Sequence, residues 1–203
     1  MARDLRTLDD RWRFTDAAGR SVALYDVTAD VTGGLALLKP DPACEARVLG
    51  VLGRSQTHWD FELYAFSVRP NSVRLLVGVA DLPVKADLLA FGLSGISREI
   101  KGLRGWFASV FGRRNDAIQI TDDAHALRVA RELLAAGTDD HLVGHPSDEP
   151  YPSWAPWALR GATPWGTWTD RTALGEARRR GRPVDAADFS TRYPVRLSRL
   201  PAL

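Results

Sequence analysis

Apolar and polar positions alternate along residues 22–30, Val-Ala-Leu-Tyr-Asp-Val-Thr-Ala-Asp, which is the period of a strand with one face turned to a core. Thr32-Gly33-Gly34 breaks the run, and Pro40-Asp41-Pro42 sets up a helix with Asp41 as its cap and Pro42 in the first turn. Val48, Leu49, Val51 and Leu52 share one helical face within residues 43–59. Two apolar runs, 61–68 and 73–79, flank Arg69-Pro70-Asn71-Ser72, where proline presets a bend and asparagine tolerates unusual backbone angles. That pair predicts a β-hairpin.

From 81 to 111, Leu88, Leu89, Ile96, Ile100 and Leu103 recur at helical spacing, while Gly92, Gly95, Gly102 and Gly105 predict that this helix is bent or broken. Residues 117–121 predict a short strand. Asp122 or Asp123 then caps a helix that reaches Ala136 and is ended by Gly137. The first six elements predict an α+β fold, a ferredoxin-like split β-α-β antiparallel sheet with helices on one face. The expected division is an N-terminal arm over 1–21, the domain over 22–146 and a Trp/Pro/Arg-rich C-terminal extension over 147–203. That extension is expected to wrap the core as an irregular tail. Its rings Trp154, Trp157, Trp165 and Trp168 predict anchors whose indole nitrogens bond exposed carbonyls, with base stacking as the rival role.

At 203 residues and 45% hydrophobic content, the chain can bury a sizeable core. The one cysteine, Cys44, excludes an internal disulfide and a multi-cysteine metal site, and it favours a cytoplasmic setting. No apolar run approaches the roughly 20 residues that span a bilayer, so no membrane partner is expected. A net charge of +2 gives no argument for nucleic acid, and only local clustering of arginine can supply one.

Four blocks carry more. They are Tyr25-Asp26-Val27-Thr28-Ala29-Asp30, Pro70-Asn71-Ser72-Val73-Arg74-Leu75-Leu76-Val77, Val110-Phe111-Gly112-Arg113-Arg114-Asn115-Asp116-Ala117-Ile118 and Arg131-Glu132-Leu133-Leu134. In order and spacing the chain resembles the single-tyrosine HUH transposases, especially the REP-associated tyrosine transposases, from about residue 22 to residue 154. The resemblance implies a DNA-nicking ancestry. In that family two histidines on one strand face hold a divalent metal that polarises the scissile phosphate, and a helical tyrosine attacks the phosphorus.

This chain departs from the pattern where the chemistry sits. Ser72 and Arg74 stand at the histidine positions and Glu132 at the tyrosine position. A serine hydroxyl is a poor metal ligand, and arginine stays protonated. Glutamate does not readily form the covalent intermediate. The expectation is a non-enzyme with no catalytic residue, no metal and no cofactor.

Binding is the function that remains. Arg98, Lys101 and Arg104 recur every three residues, Arg113 and Arg114 follow, and Arg74 places a fixed charge where the family's metal sits. These six are the expected contacts to hairpin or single-stranded DNA, held without cleavage. The run Arg178-Arg179-Arg180-Gly181-Arg182 is a further basic cluster. Against DNA stand Asp26, Asp30 and Asp116, acidic where the family shows basic or ring-nitrogen residues, because carboxylates repel phosphate. They leave open a protein–protein interaction module in a larger assembly. A third reading is an enzyme that holds metal on Glu132 with Asp26 or Asp30.

Overall fold

The structure is a computed structural model and describes residues 12–112, 115–150, 152–181 and 183–201. A short strand β1 (Phe14–Thr15) leads into the long strand β2 (Ser21–Asp30). Helix α1 (Pro42–His58) starts where Asp41 accepts a hydrogen bond from the Cys44 amide, with Pro42 in its first turn. The hairpin of β3 (Phe61–Arg69) and β4 (Ser72–Val79) turns at Pro70-Asn71. Helix α2 (Leu82–Arg104), β5 (Asp116–Gln119) and α3 (Asp123–Asp139) follow.

Strand β2 pairs with β4 on one side and with β5 on the other, and β3 flanks β4, every pairing being antiparallel. The order β5-β2-β4-β3 is the ferredoxin-like split β-α-β arrangement that the pattern predicts. Strand parity sorts the core into two layers. Ala23, Tyr25 and Val27 of β2, with Val73, Leu75 and Val77 of β4, pack under α1 and α2. Val22 and Leu24, with Leu76, pack on the opposite face against Ala126, Val129 and Leu133 of α3. The two helices of the first six elements therefore share a face, and the seventh element covers the other.

Three expectations are corrected. Helix α2 runs unbroken over 23 residues and stops only at Gly105, whose φ of 61° is left-handed. Its glycines line contacts: a Cβ on Gly95 would lie 2.8 Å from Val51 of α1, so glycine here lets the two helices approach. Gly137 does not end α3, which continues to Asp139, because the Glu149 side chain packs over the bare Cα at Gly137 and needs that space.

The third correction concerns the C-terminal extension, which is regular. Helix α4 (Ala155–Leu159), strand β6 (Trp165–Thr169), helix α5 (Arg171–Arg179) and strand β7 (Ser190–Pro194) form there, with β6 and β7 paired antiparallel. This second sheet lies on the outside of α1. The contact is backbone on backbone: a Cβ on Gly50 would sit 2.3 Å from the Thr167 carbonyl oxygen, and one on Gly166 would sit 1.8 Å from the Gly50 nitrogen. The Gln56 side chain also donates to the Arg196 carbonyl and accepts from the Arg196 amide, at 2.8 Å each. Trp154 and Trp168 pack their rings on the core, while Trp165 is 48% exposed. Trp154 packs on both core layers, but its Nε1 has no partner among the described residues, so the expected indole-to-carbonyl bond is not made there.

Candidate functional site

Residues two apart on a strand share a face, so Ser72, Arg74 and Leu76 all point to the α3 side of β4, as do Asp26, Thr28 and Asp30 on β2. Arg74 lies opposite Thr28, and Asp26 sits one step diagonally along the ladder. The Arg74 guanidinium reaches across that diagonal, with Nε donating to Asp26 Oδ1 at 2.9 Å and Nη2 donating to Asp26 Oδ2 at 2.7 Å. The same Nη2 donates to Glu132 Oε2 of α3 at 2.8 Å. Arg128, one turn earlier on α3, approaches Glu132 at 3.8 Å.

Two of the three positions that the family resemblance singles out thus touch each other. Asp26 is 8% exposed, and its partly desolvated carboxylate is held by a bidentate fork, the strongest geometry open to an Arg–carboxylate pair. Hydrogen bonding to Asp26, with a smaller share from Glu132, holds the Arg74 proton above the ordinary arginine range. A divalent cation placed between these carboxylates would meet the guanidinium instead. Among the described residues no three His, Cys, Asp or Glu side chains gather as a metal-binding group, and this donor set does not fit a cation.

Ser72 takes no part in the cluster. It pairs with Asp30 at the end of the β2–β4 ladder, where both are accessible. Asp116 of β5 lies opposite Thr28 and shares its face, so Asp26, Asp30, Asp116 and Glu132 lie toward one strand-pair end, with Arg74 between Asp26 and Glu132 and Arg128 beside Glu132. Among the described residues, carboxylates outnumber cations there.

The predicted basic residues do not form one surface. Helix α2 packs on the sheet face opposite Arg74, so Arg98, Lys101 and Arg104 are separated from it by the whole sheet. Arg104 is bound within the fold, donating to the Leu37 carbonyl at 3.0 Å, the Lys39 carbonyl at 2.9 Å and Asp41 at 2.6 Å. Lys101 is half-buried on α2, and Arg98 is exposed and turned toward α5. Arg113 and Arg114, like Arg182 of the tail run, lie outside the described residues. Arg54 of α1 and Arg171 of α5, which line one cavity with Arg98, were not legible in the sequence, because no local signal links three such distant positions.

No protein-family model matches the chain, and no curated protein sequence matches it either. Solved structures do. A REP-associated tyrosine transposase bound to a REP hairpin superposes with a TM-score of 0.53 at 15% identity, over 76% of this chain and 87% of that one. A protein from Deinococcus radiodurans R1 described as a transposase aligns over 60% of this chain and 91% of its own, at 15% identity and a TM-score of 0.43. The first likeness is one of fold: the chain has the fold of a REP-associated tyrosine transposase, as the four sequence blocks imply.

Proposed function

We propose that this protein is a transposase-derived, cytoplasmic DNA-binding protein that holds hairpin or single-stranded DNA without cutting it. The observation that carries the loss of chemistry is the Asp26–Arg74–Glu132 cluster. In this reading the guanidinium at a former metal-ligand position is committed to Asp26 and to the carboxylate at the former nucleophile position, which supports the loss of a metal site. Ser72 has no ring nitrogen to offer, and Glu132 no phenolic oxygen. Retained DNA binding is supported by the fold shared with a protein solved on a DNA hairpin. Binding of this kind is electrostatic, needs no metal and weakens steeply with salt. Fluorescence anisotropy with a labelled DNA hairpin at low and high salt, with and without EDTA, tests it. Binding that is salt-sensitive and indifferent to EDTA is the expected result; no binding at low salt would remove the DNA reading.

One observation favours a second reading, a protein-interaction module. A cavity of about 450 Å³ beside α2 is lined by Leu89, Ala90, Leu93 and Phe111, and Phe107 nearby in sequence is 96% exposed. Together with the acidic strand end, these suit a protein partner better than a phosphate backbone. Purification from native cells followed by mass spectrometry separates the two readings, because a stoichiometric protein without nucleic acid favours the second.

A further inference from the structure

Among the described residues, the strand end around Arg74 commits its central cation to Asp26 and Glu132 and offers a phosphate little. A different site answers that need. Where α1, α2 and the β6–α5 corner meet, a cavity of about 240 Å³ is lined by Arg54, Arg98, Arg171, Trp168, Thr169 and Thr172. It falls below the ~300 Å³ at which small-molecule pockets usually begin. The space suits an anionic group and not a whole nucleotide.

Its charge is built in. The Arg54 guanidinium carbon sits over the Trp168 ring, 3.4 Å from its centroid, a cation–π contact that holds the charge at the cavity and leaves N–H groups for a ligand. Arg171 is fixed by a fork on Glu99, with Nε to Oε1 at 2.9 Å and Nη2 to Oε2 at 2.7 Å. Glu99 is 4% exposed, and Arg47 approaches the same carboxylate at 3.9 Å, so its negative charge is already shared between two arginines. Arg98 and Arg54 form no ion pair among the described residues. Asp170, the other acid at this corner, is occupied in capping the Ala173 amide at 2.9 Å. Three guanidinium groups therefore line a small space with one shared carboxylate, and the Thr172 hydroxyl adds a donor that an oxyanion can use, while the Thr169 hydroxyl donates to Ser190.

We propose that this three-arginine cavity is a phosphate-binding site and that it receives a phosphodiester of the bound DNA. This rests on the DNA-binding reading above and moves the contact to the α1–α2–α5 side, away from the α3 side where the ancestral chemistry lies. The cavity exists only because the C-terminal layer docks on α1. That gives the extension a function: it completes an anion site of which α1 and α2 supply half.

The test uses the full chain, two probes and variants whose folding is checked by circular dichroism. Arg98→Glu reverses an exposed charge at the cavity, and Thr172→Glu puts a carboxylate at its rim. Arg131→Glu makes the same reversal on the outer face of α3. Hairpin binding by anisotropy should weaken about tenfold in each cavity variant, as expected when a charge-assisted contact is lost, and little in Arg131→Glu. Pyrophosphate, read by thermal shift, should stabilise the wild type and not the cavity variants. A pyrophosphate effect lost in the variants with hairpin binding unchanged would keep the anion site but overturn its role in DNA contact. Weakening by Arg131→Glu alone would place DNA on the α3 side and overturn the proposal, as would cavity variants that change neither probe. Wild-type protein that binds pyrophosphate but no hairpin would sink the DNA reading while the anion site stands.

Discussion

Arg74 holds Asp26 through two parallel hydrogen bonds, at 2.9 and 2.7 Å, along the diagonal of the β2–β4 ladder. In the proposed reading, the pair occupies the strand end where the family resemblance would put metal and phosphate. Removing Arg74 strands Asp26, whereas removing Asp26 leaves Arg74 paired with Glu132. Arg74→Ala is expected to cost about 2 kcal/mol, below the 3–5 kcal/mol of a fully buried pair because the arginine side chain is 29% exposed. Glu132→Ala should cost under about 1 kcal/mol, since the 44% exposed carboxylate is screened by solvent. Urea denaturation of the Asp26→Ala, Arg74→Ala and double variants measures the coupling, expected at about 1–2 kcal/mol. Strict additivity would mean that the fork contributes nothing.

Ser72 and Arg74, which the family resemblance matches to metal ligands, are two apart on β4 and face the same side. The double replacement Ser72→His with Arg74→His should therefore gain a zinc- or manganese-dependent rise in melting temperature that EDTA reverses. The wild type should show none. A metal-dependent rise of equal size in both proteins would mean that the native residues already bind metal.

Close packing of the C-terminal layer on α1 makes a sharp stability prediction. Gly50→Ala drives a methyl into the Thr167 carbonyl, and overpacking of this kind costs about 1–3 kcal/mol or more. Gly175, on α5 with nothing near its missing Cβ, is the control, and Gly175→Ala should be neutral or stabilising by up to about 1 kcal/mol. Chemical denaturation reads both. Limited proteolysis of Gly50→Ala should release fragments cut within 160–200 before the sheet domain is attacked.

Stability should fall on acidification. Asp41 is held below the usual carboxylate range by the Cys44 amide, and further by Arg104. Asp122 is held there by the His125 amide. In Asp16, burial pushes upward, but hydrogen bonds from Arg20 and Ala18 outweigh it and the net shift is downward. A depressed carboxylate contributes stability above its unfolded value of about 3.9, and the contribution is lost as pH falls through the lower folded value. Melting curves should show an acid limb below about pH 4, made shallower by Asp41→Asn, which keeps the cap and removes the charge. A melting temperature that rises on acidification through that range would contradict this.

Much of the sheet domain is written locally. Asp41, Asp122 and the Pro70-Asn71 turn act within a few residues of themselves, so the ends of α1 and α3 and the β3–β4 hairpin are legible from the sequence alone. The positions of Arg74 and Glu132 were legible through the family blocks, yet their contact was not, because it depends on how α3 settles over the sheet. Gly137 and the glycines of α2 misled for a related reason. Gly95, Gly102 and Gly137 lack a side chain where a neighbour from elsewhere in the chain comes close, and no local rule sees that neighbour. The extension hid its order in short elements between prolines and glycines, and the Arg54–Arg98–Arg171 cavity draws on segments too far apart for any motif.

The claim on which the rest depends is that the Asp26–Arg74–Glu132 cluster has replaced cleavage chemistry with a closed ion pair. The most direct measurement incubates the purified protein with an end-labelled DNA hairpin carrying a single-stranded flank, in magnesium or manganese, and resolves the products on denaturing DNA and protein gels. The account predicts an intact strand and no protein–DNA adduct in either metal, at protein concentrations that bind the hairpin fully. A metal-dependent nick, or a covalent adduct that survives denaturation, would contradict it.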